Sequence, residues 1–368
     1  MNPIRWFDRV ALMAALPGWV VARILVAVAF VVADAIVVEQ GLSPRPLHLD
    51  EGLVTWDGDF YEQLARSGYE NVPFEAVRFF PLFPALGWLL GGALGGNHGV
   101  ALLIVANVGA LLAAMALRGL VLDTTGDETL ADRSAWYVHL FPTAAVFVFA
   151  YGESLFLLAS LVYVGAIRSR RWPLAVVAGL AAGLTRPVAL VLAVPALVEL
   201  WPDIRASVRT WPRVAAVLAA PAAGTVAFLV WVEVRLGSWS DPIDIQRQLR
   251  AGFRWAPVRL WDGVVEVATE AQHDAPNLVF ALVWLVLLVV IARGQPASWF
   301  AYAAVSAVVA LSAQNLDSTG RYGLVVFPLV VAVAQLARNE RWHAPLTALC
   351  SAGLVGLTVM TLMAGYTP

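Results

Sequence analysis

The stretch "WDGDFYEQLARSGY", which begins at Trp56, holds side chains that could perform acid–base chemistry. Phe60 and Leu64 lie four positions apart, which predicts a short helix from about 59 to 67 with both on one face. A carboxylate beside Trp56 at a membrane surface would be partly desolvated, and desolvation raises its proton affinity. Asp57 is therefore a candidate general base for an attacking hydroxyl group. The alternative is that Asp57 or Asp59 only caps the N-terminus of this helix.

Other polar residues are candidates for substrate binding. Asp50 and Glu51 could share the site with Asp57 or remain solvated loop charges. Glu153, in the turn "YGES", is the only acidic residue within 134–198, and an ionisable group isolated between apolar segments is a functional candidate. Its alternative role is a helix N-cap or an interhelical hydrogen bond. The predicted substrate-binding group is Trp56, Tyr61, Glu153, Asp50, Glu51 and Gln246.

Arginines at the edges of apolar segments are candidates for binding an anionic head group. Arg186 lies in "LTRP", a break between two apolar runs, and irregular backbone at membrane depth needs surrounding protein or water. Its guanidinium could bind a phosphate or form a structural ion pair with Glu153. An arginine at a membrane edge otherwise extends towards lipid head groups. The predicted donor-phosphate and lipid-binding residues are Arg186, Arg321, Arg78 and Tyr322.

The segment 235–276 combines polar residues with a second amphipathic pattern. Its first part contains Gln246, Arg247 and Arg250, which could face an acceptor or lipid phosphates. Its second part, "APVRLWDGVVEVATEA", repeats apolar residues at helical spacing. This pattern predicts an interfacial helix on the membrane surface.

The composition places the chain in a lipid environment. It has 368 residues, of which 60% are hydrophobic, and a mean hydropathy of +0.74. A formal net charge of −2 gives nucleic-acid binding no support. The single Cys350 excludes an internal disulfide, and no phosphate-loop, dinucleotide or zinc motif is present. We therefore predict no cofactor, although a divalent metal between Asp57 and Glu153 stays open, and the sequence identifies no protein partner.

Recurring apolar runs predict an all-α polytopic membrane protein with about eleven transmembrane helices and amphipathic juxtamembrane helices in its first outer loop. The run from Val10 to Val32 is too long for an ordinary signal peptide, so we interpret it as a retained first span. The predicted spans lie near 18–38, 98–120, 134–150, 154–168, 173–185, 187–200, 214–234, 277–292, 297–312, 323–337 and 345–365. Residues 1–368 form one predicted domain.

The arginine distribution predicts the orientation of these spans. If 80–95 is a surface or re-entrant helix, most arginines of the short connections share one side with the N-terminus. Positive residues favour the cytoplasmic side. We therefore expect a plasma-membrane protein with a cytoplasmic N-terminus and two large extracytoplasmic loops, 39–97 and 235–276. If 80–95 spans instead, every later connection changes side.

Four segments, in order, resemble the GPI mannosyltransferase II family. "WDGDFYEQLARSGY" followed by "FFPLFP" is similar to that family's first luminal loop, and "YGESLF" is similar to its Y-[ST]-E-S-[LF]-F segment, with Gly152 in place of a hydroxyl residue. "LTRP" and "STGRYGLVVFPL" resemble later segments of its bacterial members. The matching residues of the first loop are Trp56, Asp57, Phe60, Tyr61, Ala65, Gly68, Tyr69, Phe79, Phe80, Pro81 and Pro84.

The resemblance implies a fold, an activity and a site. It implies an integral-membrane glycosyltransferase of the GT-C class that uses polyprenyl-phosphate mannose and inverts the anomeric carbon. It implies Asp57 as the catalytic acid of the first outer loop, and Arg186 or Arg321 as the group that stabilises the departing phosphate. The acceptor would be a lipid-linked or surface-linked glycan. The chain is compact and all 24 of its basic residues are arginine, as in a bacterial protein. Bacteria do not make GPI anchors, so the family's GPI precursor is not the expected acceptor.

Two other function classes fit the same features. A secondary transporter or lipid flippase would also have about eleven spans, but its critical polar groups would be expected near the bilayer midplane rather than in outer loops. A GT-C enzyme that uses another polyprenyl-linked sugar would share the loop motif.

Overall fold

The computed structural model describes residues 6–269 and 275–367, which leaves Arg5 and part of the loop 235–276 outside the described residues. The α-helices are α1 (Arg9–Gln40), α2 (Leu47–Asp50), α3 (Asp57–Ser67), α4 (Leu82–Ala93), α5 (His98–Thr125), α6 (Glu128–Leu140), α7 (Glu153–Arg168), α8 (Trp172–Thr185), α9 (Ala193–Ala206), α10 (Trp211–Leu236), α11 (Asp241–Leu249), α12 (Ala256–Thr269), α13 (Ala275–Gly294), α14 (Ala297–Leu311), α15 (Thr319–Val325), α16 (Phe327–Leu336) and α17 (Glu340–Leu362). Short 3₁₀ turns connect several of them.

The helices confirm an all-α polytopic membrane protein. Among the described residues, six helical segments are long and apolar enough to cross a membrane: α1, α5, the segment Pro187–Ala206, Val208–Leu236, α13 and α17. A seventh is α15 together with α16, which meet at a bend of 85°. The remaining four predicted spans correspond to α6, α7, α8 and α14, which have 13 to 16 residues and are shorter than a perpendicular crossing needs.

The contacts of α5 define two ends of the bundle. Its 28 residues make it about 42 Å long at 1.5 Å per residue. At its N-terminus, Gly99 lies against Glu62 of α3. Near its C-terminus, Asp123 accepts a hydrogen bond from the indole of Trp6, whose ring also contacts Gly165 of α7. We call these the site end and the opposite end.

Ion pairs of the short connections gather at the opposite end. They are Arg118–Asp132, Arg133–Glu340, Arg168–Glu199, Arg170–Asp203 and Arg338–Asp127. These arginines are among those that the sequence analysis placed together on one side of the membrane. The fold therefore separates the arginine-rich connections from the segments that carry the candidate chemistry.

The described residues of the loops 39–97 and 235–276 form short helices at the site end. We call these the first and second outer loops after the orientation predicted from the sequence. The first loop contains α3, which begins two residues before the predicted helix, and α4, whose 12 residues match a surface helix better than a span. The second contains α11 and α12. Trp255 and Trp261 are exposed, as expected for interfacial anchors.

Small residues allow α8 and α10 to approach closely. A Cβ atom on Gly183 would lie 2.1 Å from the backbone oxygen of Pro221, and one on Gly224 would lie 2.4 Å from that of Leu180. Such contacts are typical of helices packed within a membrane. This packing positions the C-terminus of α8, where Arg186 lies.

Candidate active site

Asp57 begins α3 and forms an ion pair with an arginine from the other end of the sequence. Its Oδ2 lies 2.6 Å from Nη1 of Arg321 in α15. Its Oδ1 lies 3.4 Å from Nη2 of Arg78, and its backbone N–H donates to the hydroxyl of Tyr151 over 3.3 Å. The Asp57 side chain keeps 23% of its surface exposed. The carboxylate is thus fixed by two guanidinium groups but still reachable.

An unusual backbone conformation at Trp56 directs Asp57 into the protein. Trp56 has φ 55° and ψ −123°, a region that residues with a Cβ atom rarely adopt. Its indole N–H donates to the carbonyl of Thr361 over 3.2 Å, and its ring stacks on His48 at 3.9 Å between centroids. These contacts hold the strained residue in place.

The predicted helix-cap role of the two acids is wrong. The N-cap position of α3 is Trp56, and no side chain caps the helix. Asp59 instead accepts a hydrogen bond from Gln63 over 2.7 Å. The carboxylate of Asp57 is turned towards arginines rather than towards the first amide groups of its own helix.

Glu153 is the first residue of α7 and is buried, with 2% of its side chain exposed. Its Oε1 is bonded to Arg186 and lies 3.5 Å from Nε of Arg321. Within the described chain, Oε2 has no hydrogen-bond partner. Of the two alternatives that the sequence left for Arg186, the ion pair with Glu153 is present, and phosphate binding stays a prediction.

Arg250 and Tyr322 extend this cluster. Arg250 is bonded to the Tyr322 hydroxyl, its guanidinium carbon lies 4.6 Å from the centre of that ring, and it donates to the carbonyl of Asp317. The bridge between Phe253 and Ala313 joins the second outer loop to the segment before α15 and brings Arg250 here.

The cluster carries more positive than negative charge. Its carboxylates are Asp57 and Glu153, and its guanidinium groups are those of Arg78, Arg186, Arg250 and Arg321. The ring of Tyr322 lies within 5.7 Å of three of these guanidinium groups. Two carboxylates against four guanidinium groups leave a local excess suited to an anion, and guanidinium groups match phosphate geometry well.

The charge environment corrects one expectation about Asp57. Burial raises the pKa of its carboxyl, but the charges of Arg321 and Arg78 outweigh burial, so the net pKa lies below its ordinary value. The prediction of a raised proton affinity is therefore wrong for this arrangement. The sequence could not show the ion pair that lowers this pKa, because Arg321 lies 264 positions from Asp57.

A cleft of about 320 Å³ opens beside Asp57. It is lined by His48, Glu51, Trp56, Asp57, Asp59, Phe60 and Arg78. Arg78 also lies over the rings of Phe60 and Phe79, at 5.1 and 4.4 Å. Glu51 accepts a hydrogen bond from Thr55 over 2.7 Å. The fold thus brings Glu51 and Arg78 to the same cleft as Asp57.

The other predicted substrate-binding residues lie at different distances from this cleft. Tyr61 is buried below the site between Phe79 and Phe83, and burial raises its pKa well above the ordinary value. Asp50 is exposed and pairs with Arg45 over 2.6 Å. Gln246 is half-buried on α11, and in the described residues no side-chain hydrogen bond joins it to the cluster.

No arrangement for a metal ion is evident in residues 6–269 and 275–367. No three His, Cys, Asp or Glu side chains converge there in a way that could hold one. The two carboxylates that the sequence analysis considered, Asp57 and Glu153, both face guanidinium groups.

Comparison with known proteins finds a distant likeness in structure and none in sequence. No protein-family model matches it, and no curated protein is similar to it in sequence. A crystal structure of the Archaeoglobus fulgidus oligosaccharyltransferase with zinc and sulfate aligns with 93% of the chain at 14% identity and a TM-score of 0.46. The archaeal oligosaccharyltransferase AglB from Archaeoglobus fulgidus, in complex with an inhibitory peptide and a dolichol-phosphate, aligns with 98% at 10% identity and a TM-score of 0.49.

The chain spans about half the length of these two proteins, since the alignments cover 53% and 56% of them. The class that the fold and site define is a multi-pass helical membrane protein. Its site, at one end of the bundle, combines four arginines with two carboxylates. The resemblance to GPI mannosyltransferase II has no support from a family match, and it contributes below only as part of a proposal.

Proposed function

We propose that the chain is an inverting glycosyltransferase of the GT-C class. It transfers a sugar from a polyprenyl-phosphate-linked donor to a hydroxyl group of a lipid-linked or surface-linked acceptor. The observation that carries this proposal is the convergence of the guanidinium groups of Arg78, Arg186 and Arg321 on Asp57 and Glu153 at one end of a membrane bundle. Arg250 joins them through the hydroxyl of Tyr322. A phosphate at the mouth of apolar helices is the anion that best fits both the charge and the location.

Arg186, Arg250 and Arg321 would bind the donor phosphate. When the bond between C1 of the sugar and the phosphate oxygen breaks, the leaving oxygen keeps the electron pair and gains negative charge. Fixed guanidinium groups stabilise that charge without rearranging. Glu153 would hold Arg186 and Arg321 in position, because its Oε1 is bonded to one and lies 3.5 Å from the other.

Asp57 would accept the proton of the acceptor hydroxyl as that oxygen attacks C1. The new bond joins C1 to the acceptor oxygen, polyprenyl phosphate departs, and the proton remains on Asp57. A phosphate bound to Arg321 would offset the positive charge that now lowers the pKa of Asp57. Donor binding would therefore increase the basicity of Asp57 when a base is needed.

The sugar is proposed to be mannose on the basis of the four segments that resemble the mannosyltransferase family. The test is a transfer assay with purified protein, polyprenyl-phosphate [¹⁴C]mannose and a lipid-linked acceptor extract. Incorporation of label supports the proposal. If glucose or galactose on the same carrier is transferred and mannose is not, the GT-C assignment stands and mannose is replaced.

A transporter or flippase remains the competing proposal, favoured by one observation, the 85° bend between α15 and α16. Against it, Asp57 and Arg78 lie in the loop 39–97, outside the apolar helices that could cross the membrane. Movement of the labelled donor across proteoliposomes, without formation of a glycosylated product, would decide in favour of transport.

The site end is proposed to face the extracytoplasmic side of the plasma membrane, with the N-terminus in the cytoplasm. Single cysteines at two exposed positions test this orientation: Ser67→Cys at the site end and Arg209→Cys between α9 and α10. The native Cys350 is buried. A membrane-impermeant maleimide added to intact cells should label the first variant and spare the second. The reverse pattern would invert the topology.

A further inference from the structure

We propose that His48 binds a hydroxyl group of a neutral polyol acceptor through its Nε2 atom, in the cleft beside Asp57. This inference rests on the proposed function and names the acceptor side of the site. The sequence analysis did not assign His48. Its role follows from a hydrogen-bond arrangement that only the folded first loop creates.

Hydrogen bonds fix which nitrogen of His48 carries a proton. The hydroxyl of Thr55 donates its only hydrogen to Oε2 of Glu51 over 2.7 Å. His48 Nδ1 lies 2.9 Å from the Thr55 oxygen and 3.3 Å from the same Glu51 oxygen. Since both of these oxygens can only accept, Nδ1 must be the protonated nitrogen. In the neutral ring, Nε2 then carries a free lone pair.

A second contact fixes the plane of the imidazole. The His48 ring stacks on Trp56 at 3.9 Å with 20° between the planes. Trp56 is itself held by its bond to Thr361. The His48 side chain keeps 20% of its surface exposed and lines the cleft, and within the described residues Nε2 makes no hydrogen bond. Orientation and tautomer are thus set before any ligand arrives.

The other groups of the cleft indicate what the ligand must supply. Glu51, Asp57 and Asp59 are carboxylates, which accept hydrogen bonds when ionised, and Arg78 is the guanidinium among the described lining residues. Asp57 and Arg78 also belong to the arginine cluster, so the charged groups particular to the cleft are the carboxylates of Glu51 and Asp59. A ligand with several O–H donors and no negative charge fits it, as the hydroxylated ring of a sugar or cyclitol does.

The arrangement gives Asp57 two different neighbours. On one side lie Arg186, Arg250 and Arg321, suited to the donor phosphate. On the other lies the cleft with His48. A hydroxyl held at the cleft would therefore meet the donor sugar at the carboxylate of Asp57, where the proton must be taken.

Two substitutions separate the bond that orients His48 from the bond to the ligand. In His48→Asn, an amide N–H can replace Nδ1–H, but no atom reaches the position of Nε2. In His48→Gln, the longer amide can place its carbonyl oxygen near that position. His98→Asn is the matched control, since His98 lies on α5 and contacts the carbonyl of Gly87.

Equilibrium binding of radiolabelled octyl α-mannoside to purified protein is the first measurement. This binding measurement tests the role of His48 even if the protein transfers no sugar. His48→Asn should weaken binding by about tenfold, the effect of one lost hydrogen bond. His48→Gln should stay within about threefold of the unmodified protein, and His98→Asn should match it. Equal binding by all variants, or preferential binding of an ethanolamine or carboxylate analogue, would overturn the inference.

Kinetics with polyprenyl-phosphate mannose provide the second measurement. For octyl α-mannoside as acceptor, His48→Asn should raise KM by about tenfold, with hydrolysis of the donor by water measured in parallel. A parallel loss of transfer and hydrolysis would indicate a structural role and reject acceptor binding. If the unmodified protein binds the mannoside through His48 but neither transfers nor hydrolyses, the proposed function fails while the polyol site remains.

Discussion

The carboxylate of Asp57 lies 2.6 Å from the guanidinium of Arg321, although 264 positions separate the two residues. Asp57 begins α3 in the first outer loop. Arg321 lies in α15, the short helix before the 85° bend to α16. Strained residues precede both: Trp56 has φ 55° and Ser318 has φ 61°. The pairing of a buried guanidinium with a reachable carboxylate is the centre of the candidate site.

Replacing Asp57 should abolish sugar transfer. In Asp57→Asn the side chain keeps its shape but cannot take up a proton, and loss of a general base lowers rates by about 10²- to 10⁴-fold. Incorporation of [¹⁴C]mannose by purified protein measures the effect. Glu62→Gln is the control in the same helix and should retain transfer, since Glu62 pairs with Arg66. Undiminished transfer by Asp57→Asn would remove it from the mechanism.

Replacing Arg321 should reduce transfer by about 10²- to 10³-fold, because a fixed charge next to the leaving phosphate is lost. Arg321→Gln tests this, and the measurement is the turnover number of the enzyme at saturating concentrations of donor and acceptor. Arg247→Gln is the control, since Arg247 is exposed and its ion pair in the described part of the chain is with Asp244. An equal effect of the two substitutions would show that only the overall charge matters.

Acidification should remove a specific part of the stability. The pKa of Asp57 is lower in the folded protein than its ordinary value of 3.8, so its ionised form stabilises the fold. This contribution is complete at pH values above the ordinary pKa and is lost as the pH falls through the folded value. Thermal unfolding in detergent should show Asp57→Asn less stable at pH 7, with a gap that narrows below about pH 4. A gap independent of pH would contradict this linkage.

The backbone at Trp56 should favour glycine over alanine. Both Trp56→Gly and Trp56→Ala lose the stacking on His48 and the bond to Thr361. A positive φ is unfavourable for alanine and is tolerated by glycine. The glycine variant should therefore be more stable by about 1 kcal/mol. Parallel denaturation of the two purified variants measures the difference. Greater stability of the alanine variant would mean that the loop relaxes once the indole is absent.

A methyl group on Gly183 should loosen the packing that positions Arg186. Its Cβ would lie 2.1 Å from the backbone oxygen of Pro221, so Gly183→Ala should cost about 1–3 kcal/mol. Gly152→Ala is the control beside the site, because its Cβ would meet the Tyr61 hydroxyl at an ordinary 3.4 Å. Thermal unfolding midpoints should fall for the first variant only.

The sequence predicted the membrane class and the start of α3 because both depend on local composition and spacing. Apolar runs indicate spans without knowledge of their neighbours, and the pair Phe60 and Leu64 indicates a helix. The eleven predicted runs include four that fold as helices too short to cross alone. Their lengths depend on breaks such as the 3₁₀ turns near Ala144 and Pro187.

The electrostatics of the site could not be predicted because its partners are distant in the chain. Burial alone would raise the proton affinity of Asp57, and only the position of Arg321 reverses that direction. The sequence could not distinguish Arg250 from Gln246 and Arg247 as a residue of the cluster. Its position there depends on the bridge between Phe253 of the second outer loop and Ala313. For His48 the sequence does contain a local indication of its hydrogen-bond partners, because Glu51 and Thr55 follow it at helical spacing.

The late position of α15 has a consequence for biosynthesis. Because Arg321 and Tyr322 follow nearly all the spanning helices, ribosomes must make and insert most of the protein before the arginine cluster can be completed. Until then, the first outer loop carries Asp57 with Arg78 but without Arg321. Assembly of the site is thus a late event of membrane insertion, so a chain truncated before α15 would hold Asp57 without Arg321 and Tyr322.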